Sequence, residues 1–89
     1  MLIALIAKDK PNHLEVRTAN RPAHVEYLKL GDQVSQAGPL LSQDGHMIGS
    51  LIILDVADIQ SARDWVEHDP YAKARLFQSV DLIPWNKVI

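Results

Sequence analysis

Apolar residues run without interruption from Met1 to Ala7 and stop at Lys8, Asp9, Lys10 and Pro11. Successive side chains of a strand point to opposite sides, so a run of this length bounded by a charged turn predicts a strand buried on both faces. From Pro11 to about Leu30 the spacing turns helical, with Asn12 as a candidate cap and Gly31 as the stop. Pro22 lies inside that stretch and predicts a kink or two helical pieces. Between Asp32 and Ser42, Val34 and the segment Ala37-Gly38-Pro39-Leu40-Leu41 predict a short strand that ends irregularly at Gly-Pro. Gln43-Asp44-Gly45 is a turn signal, and Met47 to Val56 is a second long apolar run broken only by Gly49, Ser50 and Asp55, which makes a hairpin. Asp58 is placed to cap a helix with Ile59, Ala62, Trp65 and Val66 on one side, ending near His68. Asp69-Pro70 restarts the helix, and Val80 to Ile89 is a closing strand.

The order is strand, helix, strand, strand, helix, strand, with no repeat or linker, in one domain over residues 1–89. That is the ferredoxin-like βαββαβ order of an α+β fold with an antiparallel sheet. Its first and third strands hold the middle of the sheet, and they are the two runs here with apolar residues at both alternating positions. Helices cover one face of such a sheet, so an apolar second face calls for another sheet. Two subunits packed face to face form a dimeric α+β barrel, and a homodimer is the expected assembly.

Composition sharpens this picture. A chain of 89 residues removes roughly 60–65% of its unfolded surface from water, which leaves a monomer marginal. No cysteine is present to add disulfides, which fits a reducing, cytoplasmic setting. The net charge is −2, with both signs scattered, so the chain lacks the basic footprint of a nucleic-acid binder. The apolar runs are far shorter than the ~20 residues of a membrane span, and the first run, without a basic segment before it, reads as a strand and not as a leader.

The most informative segment for chemistry is Arg17-Thr18-Ala19-Asn20-Arg21-Pro22-Ala23-His24-Val25. At 100° per residue Leu14, Val25 and Leu28 form one stripe, with Arg21 inside it and Arg17 and His24 on its flank, while Glu15 and Glu26 fall on the other side. Two readings stay open at this point. In one, the arginines pair with carboxylates along the sheet edge and His24 is a hydrogen-bonded boundary residue. In the other, Arg17 or Arg21 holds a carboxylate or enolate oxygen in a cleft between the helix and the sheet while His24 moves a proton, with Asp69 as the candidate partner that orients its ring. His13, His24, His46 and His68 contain no pair three or four residues apart and there is no cysteine, so no metal site is expected. The serines sit in no nucleophile elbow and the glycines form no phosphate-cradling loop. Trp65 reads as core, and Trp85, beside Pro84, as core or a dimer seam.

Asp9-Lys10-Pro11 after the first strand, Arg17, Arg21-Pro22-Ala23-His24, Gly38-Pro39 and Asp69-Pro70-Tyr71 before the closing strand together resemble the YCII family over essentially the whole chain. The resemblance implies a ferredoxin-like subunit of a dimeric α+β barrel, with His24 and Asp69 as the active-site pair and Arg17, Arg21, Gly38, Pro39 and Tyr71 about the substrate. It also implies chemistry like that of dehydrochlorinases acting on chlorinated hydroxyquinones or of muconolactone isomerases, which move protons on small enolisable or phenolic acids without a cofactor. Two features depart from the family pattern. The Ser42–His46 loop is short, and Arg75 stands where glycine is common, which could crowd the site or add an anion contact. The alternative to an enzyme is a module that binds a small acidic or phenolic ligand without converting it, the His–Asp pair being structural.

Overall fold

The computed structural model describes residues 1–89. Strand β1, Leu2–Asp9, pairs antiparallel with β3, Met47–Asp55, on one side and with β4, Phe77–Trp85, on the other. Strand β2, Val34–Leu41, completes the hairpin with β3, and the four strands lie in the order β2-β3-β1-β4. Helix α1 spans Leu14–Lys29, α2 Ile59–Glu67 and α3 Pro70–Lys73. This is the ferredoxin-like βαββαβ fold, with the two most apolar strands in the centre as their composition demands.

Residues of one parity build the core. Ile3, Leu5 and Ala7 of β1 and Ile52 and Leu54 of β3 are fully buried and pack with Val56, Ala62 and Trp65. Each large aliphatic side chain so buried contributes about 1.5–3 kcal/mol. Tyr27 closes one end of this layer, its hydroxyl donating to the Trp65 carbonyl at 2.7 Å. Asp58 caps α2 by accepting from the Ser61 amide at 2.8 Å, and Asp69 caps α3, with Pro70 at its first position. The opposite parity faces outward. There Leu51, Ile83 and Trp85 are exposed beside Ala4, Ile6 and Ile53, and with β2 they line an apolar concavity of about 560 Å³.

Several boundaries differ from the sequence reading. Asn12 does not cap α1: at φ 61° it takes the left-handed conformation that asparagine tolerates, turning the chain out of β1, and the helix starts after His13. The helix then runs unbroken through Pro22, so the two pieces do not form. Pro22 and Thr18, whose carbonyl loses its partner, lie on the exposed side, where water replaces the missing bond. Strand β2 continues straight through Gly38-Pro39, and Pro84 lies within β4. Both are edge strands, the place where a sheet accepts proline. β4 begins at Phe77, opposite Asp9, and ends at Trp85 instead of Ile89, because its partner strand runs out at Leu2.

Gly49 marks the tightest approach in the sheet. A Cβ at this position would sit 2.3 Å from the Ala7 carbonyl oxygen and 3.2 Å from Leu40 Cδ1. The obstacle is backbone and cannot swing aside, so Gly49→Ala is expected to destabilise the fold by about 3 kcal/mol, read as a lower urea midpoint at unchanged slope.

Candidate active site

On the helical side of the sheet, α1 buries polar groups where a helix normally buries aliphatic ones. Its two buried residues are Arg17 and His24, seven positions and so about two turns apart on one face, whereas Leu14 and Arg21 are exposed. The inward stripe is therefore centred on Arg17 and His24, and not on Leu14 and Arg21 as the periodicity suggested. A helix that turns charge inward has to find partners for it.

Those partners come from three other elements. Arg17 is 2% exposed and is gripped by Asp9 at the end of β1, Nε donating to Oδ2 at 2.6 Å and Nη2 to Oδ1 at 2.9 Å. Nη2 also donates to Ser50 Oγ of β3 at 2.9 Å, and the guanidinium carbon lies 4.5 Å from the centre of the Tyr71 ring. His24 stacks on the same ring, centroids 3.8 Å apart and planes inclined by 16°. Its Nδ1 is 2.8 Å from Asp69 Oδ1, an oxygen that also accepts the Tyr71 amide at 3.0 Å as the cap of α3. A carboxylate can only accept, so it fixes the tautomer with the proton on Nδ1 and leaves a lone pair on Nε2.

Every fully buried side-chain nitrogen and oxygen in the chain has a hydrogen-bond partner. Nε2 of His24 and Nη1 of Arg17 have none in the protein, so both keep an opening onto the cleft that these residues line. That cleft, about 220 Å³, lies between α1 and the edge strand β2, with Arg17, Arg21 and His24 on one wall, Ala37, Gly38 and Pro39 on the other, and Ser50 and Tyr71 at its base. Arg21 forms no ion pair and stands at its exposed rim. All seven residues singled out in the sequence thus fall at one place: six line the cleft, and Asp69 stands behind His24. Arg75 does not line it. At φ 58° it occupies the left-handed position ending α3, where its amide bonds to the Ala72 carbonyl.

Asp9 and Ser50 are members of the site that the sequence reading left out. The signal was present: Asp9 continues the parity of Ile3, Leu5 and Ala7, and Ser50 that of Ile52 and Leu54, so each is a polar group on a core face that needs a partner.

The fold and the site define a ferredoxin-like α+β domain with a histidine–aspartate pair opening on a cleft between its first helix and an edge strand. The chain belongs to the YCII family, whose YCII-related domain matches residues 1–86. Protein YciI of Escherichia coli O6:H1 is 32% identical over 97 residues, 99% of each chain, and an uncharacterized Haemophilus influenzae protein is 33% identical over the same length. Among solved structures, 5-chloro-2-hydroxyhydroquinone dehydrochlorinase from Burkholderia phenoliruptrix AC1100, in complex with 2,5-dihydroxybenzoquinone, superposes with a TM-score of 0.88 at 34% identity, over 97% of this chain and 94% of its own. Rv0793 from Mycobacterium tuberculosis, at 14% identity and a TM-score of 0.61 over the whole of both chains, shares the fold alone. No helix is long and apolar enough to cross a membrane.

Burial raises the Tyr71 phenol above its ordinary pKa, an effect that the charges of Arg17 and Arg21 oppose without cancelling. Tyr27 is raised as well, by burial first and by the charge of Asp69 second. The folded state holds both protons more tightly than the unfolded chain does. Their contribution to stability is therefore complete below the ordinary phenol value of about 10 and is lost as pH rises through the higher folded values. Alkaline unfolding followed by circular dichroism should set in only above pH ~10, with a shallower pH dependence in Tyr71→Phe.

Proposed function

We propose that the protein is a cofactor-independent enzyme, a lyase or isomerase of the dehydrochlorinase kind, acting on a small enolisable or phenolic acid in the His24 cleft. The observation that carries this reading is the 2.8 Å contact from His24 Nδ1 to Asp69, with Nε2 left free at the cleft. A free imidazole nitrogen takes a proton from an O–H or C–H of the substrate, and the bond's electron pair becomes an enolate. Asp69 then stabilises the imidazolium, its charge lying against Nδ1. Arg21, the unpaired cation at the rim, holds the enolate oxygen, and Gly38, Pro39 and Tyr71 form the walls about a flat ring. In an elimination from a chlorinated phenol the imidazolium first returns the proton to the chlorine-bearing carbon, giving a keto tautomer with an sp3 C–Cl bond. His24 then takes a second O–H proton, that bond's electron pair moves through the conjugated ring to form the new C=C and expel chloride with its bonding electrons, and the proton stays on His24 until released to water. In an isomerisation the imidazolium returns it to another carbon. The dehydrochlorinase neighbour, at 34% identity and with a hydroxyquinone bound, supports this substrate class.

A second reading, a module that binds such an acid without converting it, draws on the double duty of Asp69, which also caps α3. The two part on 5-chloro-2-hydroxyhydroquinone as test substrate. The enzyme reading expects chloride release by the wild type and a 10²–10⁴-fold fall in kcat for His24→Ala, in a protein that stays folded with a melting temperature lowered by the lost stack and hydrogen bond, and with binding of 2,5-dihydroxybenzoquinone retained. Saturable binding with no chloride release by the wild type would leave the module.

We also propose that the protein is a homodimer joined through the open face of the sheet. The concavity there is lined by no ionisable residue, and Leu51, Ile83 and Trp85 are exposed within or beside it. A stable interface needs roughly 800 Å² per partner, and this face is the apolar surface from which a second copy would draw it. Leu51→Arg puts a charge into this apolar face that the interface would have to bury, so sedimentation velocity should show dimers for the wild type and monomers for the variant.

A further inference from the structure

Two arginines on α1 reach the His24 cleft, and only one of them carries an uncompensated charge. Arg17 is neutralised by a two-point contact with Asp9, whereas Arg21, one turn further along, has no carboxylate within ion-pair distance. The neutralising carboxylate does not itself line the cleft: Asp9 borders a separate hollow on the far side of Arg17, between the β1–α1 turn and the β2–β3 hairpin. Asp9 therefore acts on the site only through Arg17. The guanidinium it holds lies over the Tyr71 ring on which His24 stacks, which puts the Arg17 charge within roughly 8 Å of the imidazole, inside the range of unscreened interaction.

We propose that Asp9 is a positioning residue that sets the charge of the cleft: it pins Arg17 against Tyr71 as the backing of the His24 stack and offsets its charge, leaving Arg21 as the uncompensated cation that anchors a substrate anion. The inference rests on the reading of this cleft as the substrate site. Its consequence for chemistry is a balance between two needs. A free cation beside His24 would draw an acid substrate in more tightly, yet it would also oppose the imidazolium that forms when His24 takes the proton. With Arg17 cancelled, attraction comes from the rim, and the imidazolium meets the Asp69 carboxylate and the π-face of Tyr71. The other charged or titratable groups packed about His24 are few. Asp69 comes from the α2–α3 junction, Tyr71 from α3, and Arg17, Arg21 and Tyr27, whose phenol feels the Asp69 charge, from α1 itself; β2 and β3 supply only Ala37 to Pro39 and the Ser50 hydroxyl.

The test compares wild type, Asp9→Asn, the doubly neutral Asp9→Asn/Arg17→Met, and Arg21→Gln. The readouts are the affinity for 2,5-dihydroxybenzoquinone, whose hydroxyls are acidic in the manner of vinylogous carboxylic acids, and the pH profile of the His24 NMR signal. Asp9→Asn is expected to tighten the probe about tenfold and to move the His24 profile to lower pH by about one unit, as an uncovered charge at this distance requires. The double variant, uncharged at both positions, should lose the tightening of the probe and bring the His24 profile back toward wild type, and Arg21→Gln should weaken the probe by at least tenfold. An unchanged His24 profile and probe affinity in a folded Asp9→Asn protein would overturn the proposal. If the single variant does not fold, the double variant decides: a tenfold or greater loss of probe affinity there assigns the anion to Arg17 and sinks the idea. Failure of the wild type to bind the probe at all would count against the cleft as a substrate site, while the His24 profile in Asp9→Asn would still report on the charge.

Discussion

A guanidinium held almost entirely out of water costs several kcal/mol unless each of its bonds is replaced. Asp9 and Ser50 replace three of them for Arg17, and this contact ties the end of β1, the first turn of α1 and the centre of β3 to one point. Aliphatic packing alone would let α1 slide or rotate over the sheet, because apolar contacts are non-directional. A two-point ion pair does not allow it. The angle of α1 over the sheet, and with it the position of His24 two turns along, is thus fixed by a charge interaction. The conformational specificity that buried ion pairs give in some folds is here a constraint on where an imidazole stands.

From that point the site follows in short steps. Tyr71 is pressed between what Arg17 fixes and what His24 offers, and its own amide is bound to the oxygen of Asp69 that meets the imidazole. The cap of a four-residue helix and the orientation of a histidine are therefore one interaction counted from two sides. Isolated, α3 is too short to be stable. It persists because Asp69, Pro70 and the buried Tyr71 ring hold it, so local structure and site geometry depend on the same atoms. This double duty is why a cap and a functional carboxylate cannot be told apart from the Asp-Pro-Tyr segment alone.

Much of the fold was legible in the sequence for a plain reason: binary patterning at period two placed β1 and β3 in the middle, and Asp58, Asp69-Pro70 and Gln43-Asp44-Gly45 marked the punctuation. The misses have physical causes. Pro22 was overread because its cost depends on whether the orphaned carbonyl meets water, which no sequence states. The end of β2 was misplaced at Gly38-Pro39 because proline is excluded only from paired edges, and pairing is a property of the assembled sheet. The inward face of α1 was rotated by part of a turn because the periodicity was anchored on Leu14, Val25 and Leu28, which left Arg17 and His24 on the flank. Asp9 and Ser50 were passed over, although their parity with the core residues of their strands marked them as inward.

The cleft and the open sheet face meet at β2. Gly38 and Pro39 border both the His24 cleft and the apolar concavity behind it, so one short stretch of edge strand is the wall between them. An edge strand paired on a single side is the least constrained part of a sheet, and here it lines the site. Whatever covers the apolar face also stiffens that wall and narrows the freedom of the cleft. Preorganisation at His24 therefore has two sources of different kind. One is a buried charge network that fixes the α1 wall from within the subunit, and the other is an apolar face through which cover from outside would fix the β2 wall.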